Sequence, residues 1–254
     1  MIPRRLYAHV KAHDWFAVAV DFVIVVLGVF VGMQVNNWNE ARVFAEHERA
    51  LLTELRAEME VAIDDTQALK TYFNGVSAAG ERALAFLRID APCTEDCWRL
   101  VVDFFHASQW TDVAVSRTTY DEMRREGLPR SKTVFMAAEA FYAQNDSIAF
   151  VLNERPAYRN LVRGLIPVEA QRVLWLECHA VQSGAESLRN DCPQALNDDS
   201  ARAVAASIRE NPDVASTLTQ WASLASIAPP HLDGQIAAAE RVIAAVNAEL
   251  KDRP

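Results

Sequence analysis

From Trp15 to Val35 the sequence is apolar on every side of a helix, with only Asp21 and Gln34 polar and with glycine at 28 and 32. A helix needs roughly 20 such residues to cross the ~30 Å hydrocarbon core of a bilayer. Trp15 and Trp38 flank the run, where aromatic side chains rest at the two headgroup levels. A core helix of a soluble protein carries its apolar residues on one stripe, which this run does not. A cleaved signal peptide ends in a small-x-small site, whereas Gly-Met-Gln-Val-Asn-Asn closes the run here. Residues 15–35 are therefore expected to form a retained single-pass transmembrane helix in the lipid bilayer.

Orientation follows from lysine and arginine alone. Residues 1–14 carry Arg4, Arg5 and Lys11 against one acid, Asp14, while Arg42 and Arg49 after the run stand among glutamates. The bias places 1–14 as a basic cytoplasmic N-terminus and 36–254 as a periplasmic domain, anchored in a bacterial inner membrane.

The polar and small residues of the apolar run share a side. At roughly 100° per residue, Asp21, Gly28, Gly32, Val35 and Asn39 fall in one sector, opposite Val23, Val26, Leu27, Phe30 and Gln34. Small residues four apart let a second helix approach closely, and a membrane acid faces protein or water rather than lipid. This face suits another transmembrane helix, from a second copy or from a larger membrane complex. The alternative is that Asp21 is hydrated near the interface and the glycines are incidental.

The net charge is −9, and no basic patch is interleaved with aromatics, which argues against nucleic acid as a partner. Glycine is scarce, and strand-like alternation is nearly absent. The expected fold is all-α: the transmembrane helix, a long helical stalk and a periplasmic helical bundle. In the stalk, Leu52, Leu55, Met59, Ala62, Thr66, Leu69, Phe73 and Val76 recur at steps of three and four, a heptad seam packed on another helix. Gly75 and Gly80 mark its end or a bend.

Further on, Thr94 is read as the N-cap of a helix from about Glu95. Thr119 and Glu122 form a capping box opening a short helix that Gly127 closes. Ser131 caps a helix to about Glu154, with Phe135, Ala138, Phe141, Tyr142 and Ile148 inward. Pro156 breaks it, and Pro167 starts a helix through Val181. Residues 183–200, with Gly184 and Pro193, read as loop. Helices follow near 201–210, 212–227 and 233–251, the last two parted by Pro229 and Pro230.

Four cysteines make an even count, and a periplasmic domain can oxidise them. The two local pairings, Cys93–Cys97 and Cys178–Cys192, are favoured over the other connectivities. A metal site using Cys93, Cys97, Cys178 and His179 is the rival, although its second half lacks a matching cysteine pair. Reduced thiols are the third reading, tied to the opposite orientation.

"DFVIVVLGVFVGMQVNNWNEAR" resembles the N-terminal segment of an uncharacterised bacterial family of single-pass membrane proteins. Its members follow an acid-bearing apolar helix with Gln-x-Asn-Asn-Trp-Asn-Glu. "TTYDEMRREGLP" is similar to that family's Thr-x-Tyr-Glu-Glu-Leu-Lys-x-x-Gly element, and "AAAERVIAAVNAEL" to its closing helix. Pro129-Arg130-Ser131 departs from the family's Leu-Ile-x-Asp stretch. The resemblance implies a single-pass, mostly helical protein and brings no activity with it.

The motifs of common chemistries are missing: no phosphate-cradling glycine loop, His-Glu-x-x-His helix, Gly-x-Ser-x-Gly elbow or Cys-x-x-Cys pair occurs. His106, His179 and His231 are scattered, and a lone helical histidine is usually structural. Tyr120, Asp121 and Glu122 beside Arg124 and Arg125 fit a capping box as well as a site. The expected function is a non-enzymatic membrane-anchored module that needs no cofactor or metal. It would assemble with itself or as an accessory subunit. A ligand-sensing domain is the alternative, because pockets between helices leave no motif, and a helical hydrolase is a more distant one.

Overall fold

The computed structural model describes residues 15–182, 185–189 and 191–252. The basic N-terminus with Arg4, Arg5 and Lys11, the side chain of Trp15, and Gly184 of the expected loop lie outside the described residues. The fold is all-α with a long N-terminal helix. In order come α1 (Trp15–Arg88), α2 (Cys97–Ala107), α3 (Thr118–Arg125), α4 (Lys132–Leu152), α5 (Ala157–Arg163) and α6 (Val168–Glu177). The hairpin strands β1 (His179–Gln182) and β2 (Ala185–Leu188) follow, then α7 (Asp198–Glu210) and α8 (Val214–Asp252).

The chain divides into two compact units, residues 1–50 and 51–254. In the first, α1 is exposed throughout its described apolar run, which is long and apolar enough to cross a membrane, with mean hydropathy 2.4 over 18 residues. Its polar end is stitched along the helix by Asn36 Nδ2 donating to Glu40 at 2.6 Å and by Arg42 paired with Glu46.

In the second unit the seam residues of α1 are buried, from Leu52 and Leu55 through Met59, Ala62 and Thr66 to Phe73 and Val76, with Leu69 partly so. Their partners are intramolecular. One cluster packs Leu52, Leu55 and Met59 with Phe141 and Tyr142 of α4 and Val242 and Val246 of α8. A larger one joins Phe73 and Val76 to α2, α5, α6, α7 and the first half of α8. Lys70 paired with Asp233, and Arg56 donating to Asn247, tie α1 to α8 at the rim.

Several boundaries differ from the sequence expectation, each for a local reason. Gly75 and Gly80 neither end nor interrupt α1, which runs on to Arg88 because both lie against packed neighbours, Leu188 and Ala222. Thr94 is not the cap of α2; Asp96 is, at φ 49°, a left-handed conformation that aspartate tolerates better than most residues. The Thr119–Glu122 capping box does not form. Glu58 of α1 accepts from the Thr118 N–H at 3.1 Å, so a tertiary partner satisfies the first turn and Thr118 begins the helix.

Gly127 does close α3, at φ 73°, with Leu128 N–H to Met123 O and Gly127 N–H to Arg124 O forming a Schellman pair. Ser131 occupies the cap of α4 without a side-chain cap bond, and the helix stops at Leu152. Phe135 is half-exposed rather than inward, lying under the Arg124 guanidinium at 5.5 Å.

The helix from Pro167 ends at Glu177 instead of Val181. There Arg189 N–H bonds Cys178 O at 2.9 Å and turns the chain into the hairpin, where a loop was expected. Asn197 accepts from Ser200 N–H and starts α7 earlier than 201. Pro229 and Pro230 do not divide α8. Burial of Ala225, Ala228 and Leu232 on the flanking turns offsets the lost backbone bonds.

Candidate functional site

The five residues of the expected contact face are carried on α1. Asp21, Gly28, Gly32, Val35 and Asn39 are all exposed, and a Cβ built on either glycine meets nothing within 4 Å. Their shared sector is thus preserved on an unbroken helix, and both glycines leave their turns open.

The four cysteines fall into the two local pairs, Cys93 with Cys97 and Cys178 with Cys192, each at disulfide distance. Cys93 and Cys178 therefore do not gather with His179, and among the described residues no three His, Cys, Asp or Glu side chains are grouped to hold a metal ion. The Cys178–Cys192 link fastens the hairpin to the end of α6. On that hairpin His179 Nε2 lies 3.0 Å from Glu186 Oε2, while Thr111 donates to Glu186 Oε1 at 2.9 Å. The His179 contact first, opposed by burial and helped by Thr111, holds the Glu186 carboxyl below its ordinary range.

Beside this carboxylate α5 presents two partly buried arginines. Arg163 donates to Ser108 Oγ and Gln109 Oε1, and Arg159 to Ser108 O. The Arg163 guanidinium lies over Phe105 at 4.7 Å and Trp175 at 4.6 Å, two cation–π contacts to rings that meet edge to face. Burial, and then the charge of Arg159, push Arg163 down to about 9. Nearby, His106 is 1% exposed, and burial first, then Arg82 and His179, push it down to about 4.

On the other side of Glu186 is a cavity of about 210 Å³ between α1, α4, α8, the 111–115 segment and β2. Tyr72, Asn145 and Gln235 are in its wall, and each is at least nine-tenths buried. Asn145 Oδ1 and Gln235 Oε1 have no hydrogen-bond partner among the described residues, while the Tyr72 hydroxyl is held toward Glu186. The Gln235 amide is oriented by Nε2 donating to Phe141 O at 3.4 Å, which leaves Oε1 as the free acceptor. Burial, then the charge of Glu186, raise the Tyr72 phenol well above its ordinary range, so it stays protonated.

The remaining residues weighed from sequence lie elsewhere. Tyr120 donates to Glu139, which also pairs with Arg124, on the face between α3 and α4. His231 lines a separate, mostly apolar groove with Ile148 and Leu224. Compared with protein-family models, with curated proteins and with solved structures, the chain matches none.

Proposed function

We propose that the chain is a non-enzymatic helical module anchored by α1 in a bacterial inner membrane, N-terminus cytoplasmic and 36–254 periplasmic. It assembles through Asp21, Gly28 and Gly32 with another transmembrane helix, from its own copy or from a membrane complex. The observation that carries this reading is the exposure of the apolar run, Phe22 at 69% and Phe30 at 57%, beside a core in residues 51–252 that closes on itself. Apolar surface of that extent is stable in lipid or against a second apolar helix, not in water. Arg4, Arg5 and Lys11 support the orientation, and two cysteine pairs at disulfide distance suit an oxidising compartment. Mild-detergent purification of the intact chain tests it: a copurifying membrane protein or a defined homo-oligomer is expected, and a strictly monomeric chain contradicts it.

The cavity beside Glu186 favours a second role within the same architecture, ligand sensing by the helical domain. Two buried amide oxygens without partners, Asn145 Oδ1 on α4 and Gln235 Oε1 on α8, destabilise the empty domain by about 1–3 kcal/mol each. A bound molecule that donates to them relieves this penalty.

A further inference from the structure

The chemistry of the cavity wall is one-sided. Both unpartnered atoms in it accept hydrogen bonds, the amide oxygens of Asn145 and Gln235. Three carboxylates join them, Glu186 within and Asp65 and Asp112, both exposed, at the mouth. The described lining contains no lysine, arginine or histidine. Both Glu186 oxygens already accept a bond, from Thr111 and His179, and the Tyr72 hydroxyl is also directed at this carboxylate. The basic groups near Glu186, which are His179, Arg159 and Arg163, stand behind the wall. There Arg159 and Arg163 are occupied by Ser108 and Gln109. The rest of the lining is aliphatic, including Leu69, Val113 and Leu232.

We infer that this cavity binds a small aliphatic amine in its ammonium form, the nitrogen directed at the acceptors and the alkyl body against the aliphatic wall. The inference rests on the ligand-sensing reading and adds the ligand's charge and class to it. An ammonium carries only donors, which matches a lining that offers acceptors, and its charge is complementary to Asp65 and Asp112, while Glu186 is already paired with His179. An anion would meet the three carboxylates, and a neutral alcohol would leave Asp65 and Asp112 uncompensated.

Size points the same way. About 210 Å³ equals roughly seven waters at ~30 Å³ each, enough for an alkylamine of a few carbons and too little for a drug-sized molecule. Asn145 Oδ1 and Gln235 Oε1 are shielded from bulk water and have no protein partner among the described residues.

The test uses the full chain in mild detergent and three four-carbon probes: butylamine, butanol and butyrate. Calorimetric titration is expected to give butylamine a dissociation constant on the order of 1 mM or tighter, the range open to so small a ligand. Butanol should bind about tenfold more weakly, and butyrate not at all. Gln235→Leu should weaken butylamine about fivefold by removing one acceptor. Asp112→Asn, at an exposed position that leaves the core untouched, should weaken it about twofold and leave butanol unchanged.

Equal binding of all three probes, or tighter butyrate, overturns the ammonium assignment while leaving a ligand site in place. Failure of every probe to bind overturns both. Butylamine binding that Asp112→Asn and Gln235→Leu leave unaltered overturns the assignment to this cavity.

Discussion

His179 and Glu186 meet diagonally on one face of the hairpin, imidazole Nε2 3.0 Å from carboxylate Oε2, and Thr111 donates to the other oxygen. A two-stranded hairpin is marginal by itself, so these side-chain bonds and the Cys178–Cys192 link hold it over the polar cluster. Glu186→Ala removes both bonds. It is expected to lower stability by about 1–3 kcal/mol in urea unfolding and to raise hydrogen exchange in 179–188. Unchanged exchange there would show the hairpin to be held by other contacts.

Separating Cys178 from Cys192 should loosen the same element. The bond closes a loop with a sequence separation of 14, and chain-entropy arguments give about 3 kcal/mol for a loop of that size. Replacing both cysteines by alanine should lower the denaturation midpoint accordingly and make it insensitive to reductant at this site.

His106 makes stability depend on pH in a defined window. Its pKa is lowered from 6.5 to about 4 in the folded state, mainly by burial and then by Arg82 and His179. Between those values the unfolded chain binds more protons, so folded-state stability is fully present above 6.5 and falls as pH drops toward 4. A shift of that size corresponds to about 3 kcal/mol. His106→Gln should flatten the profile over that window, while the separate acid loss from Glu186, whose folded pKa is also lowered, continues below it.

Two glycines of α1 should respond oppositely to substitution. A Cβ at Gly80 comes within 3.0 Å of Ala222 Cβ, so Gly80→Val forces α1 and α8 apart and should cost about 1–3 kcal/mol. At Gly75 a Cβ meets Leu188 at an ordinary 3.5 Å, so Gly75→Ala should be neutral or stabilise by up to about 1 kcal/mol through helix propensity. Thermal unfolding of the two variants reads the difference directly.

The architecture was legible wherever periodicity carried it. The seam from Leu52 to Val76 is buried as its spacing implies, Gly127 ends α3, and the two local cysteine pairs lie at disulfide distance. Local punctuation misled where tertiary contacts supplied what it signalled. Glu58 replaced the capping box of α3, and packing carried α8 through Pro229 and Pro230. The hairpin was missed because His179–Leu188 has little strand patterning and depends on the Cys178 turn. The cavity left no trace in the sequence, since Tyr72, Asn145, Glu186 and Gln235 come from four elements far apart in the chain. Only an unexplained buried polar residue on each helix could have pointed to it.

The proposed contact face of the anchor is tested most directly by Gly28→Leu combined with Gly32→Leu in the intact chain. A Cβ at either position meets nothing within 4 Å, so the double variant should keep its helicity and its unfolding midpoint. Leucine side chains there block the close approach of a second helix. In mild-detergent size-exclusion and pull-down the parent chain should therefore carry its partner or its own copies, and the double variant should run alone. Asp21→Asn, whose amide can still hydrogen-bond, should weaken the assembly without abolishing it. A double variant that assembles as fully as the parent contradicts the account.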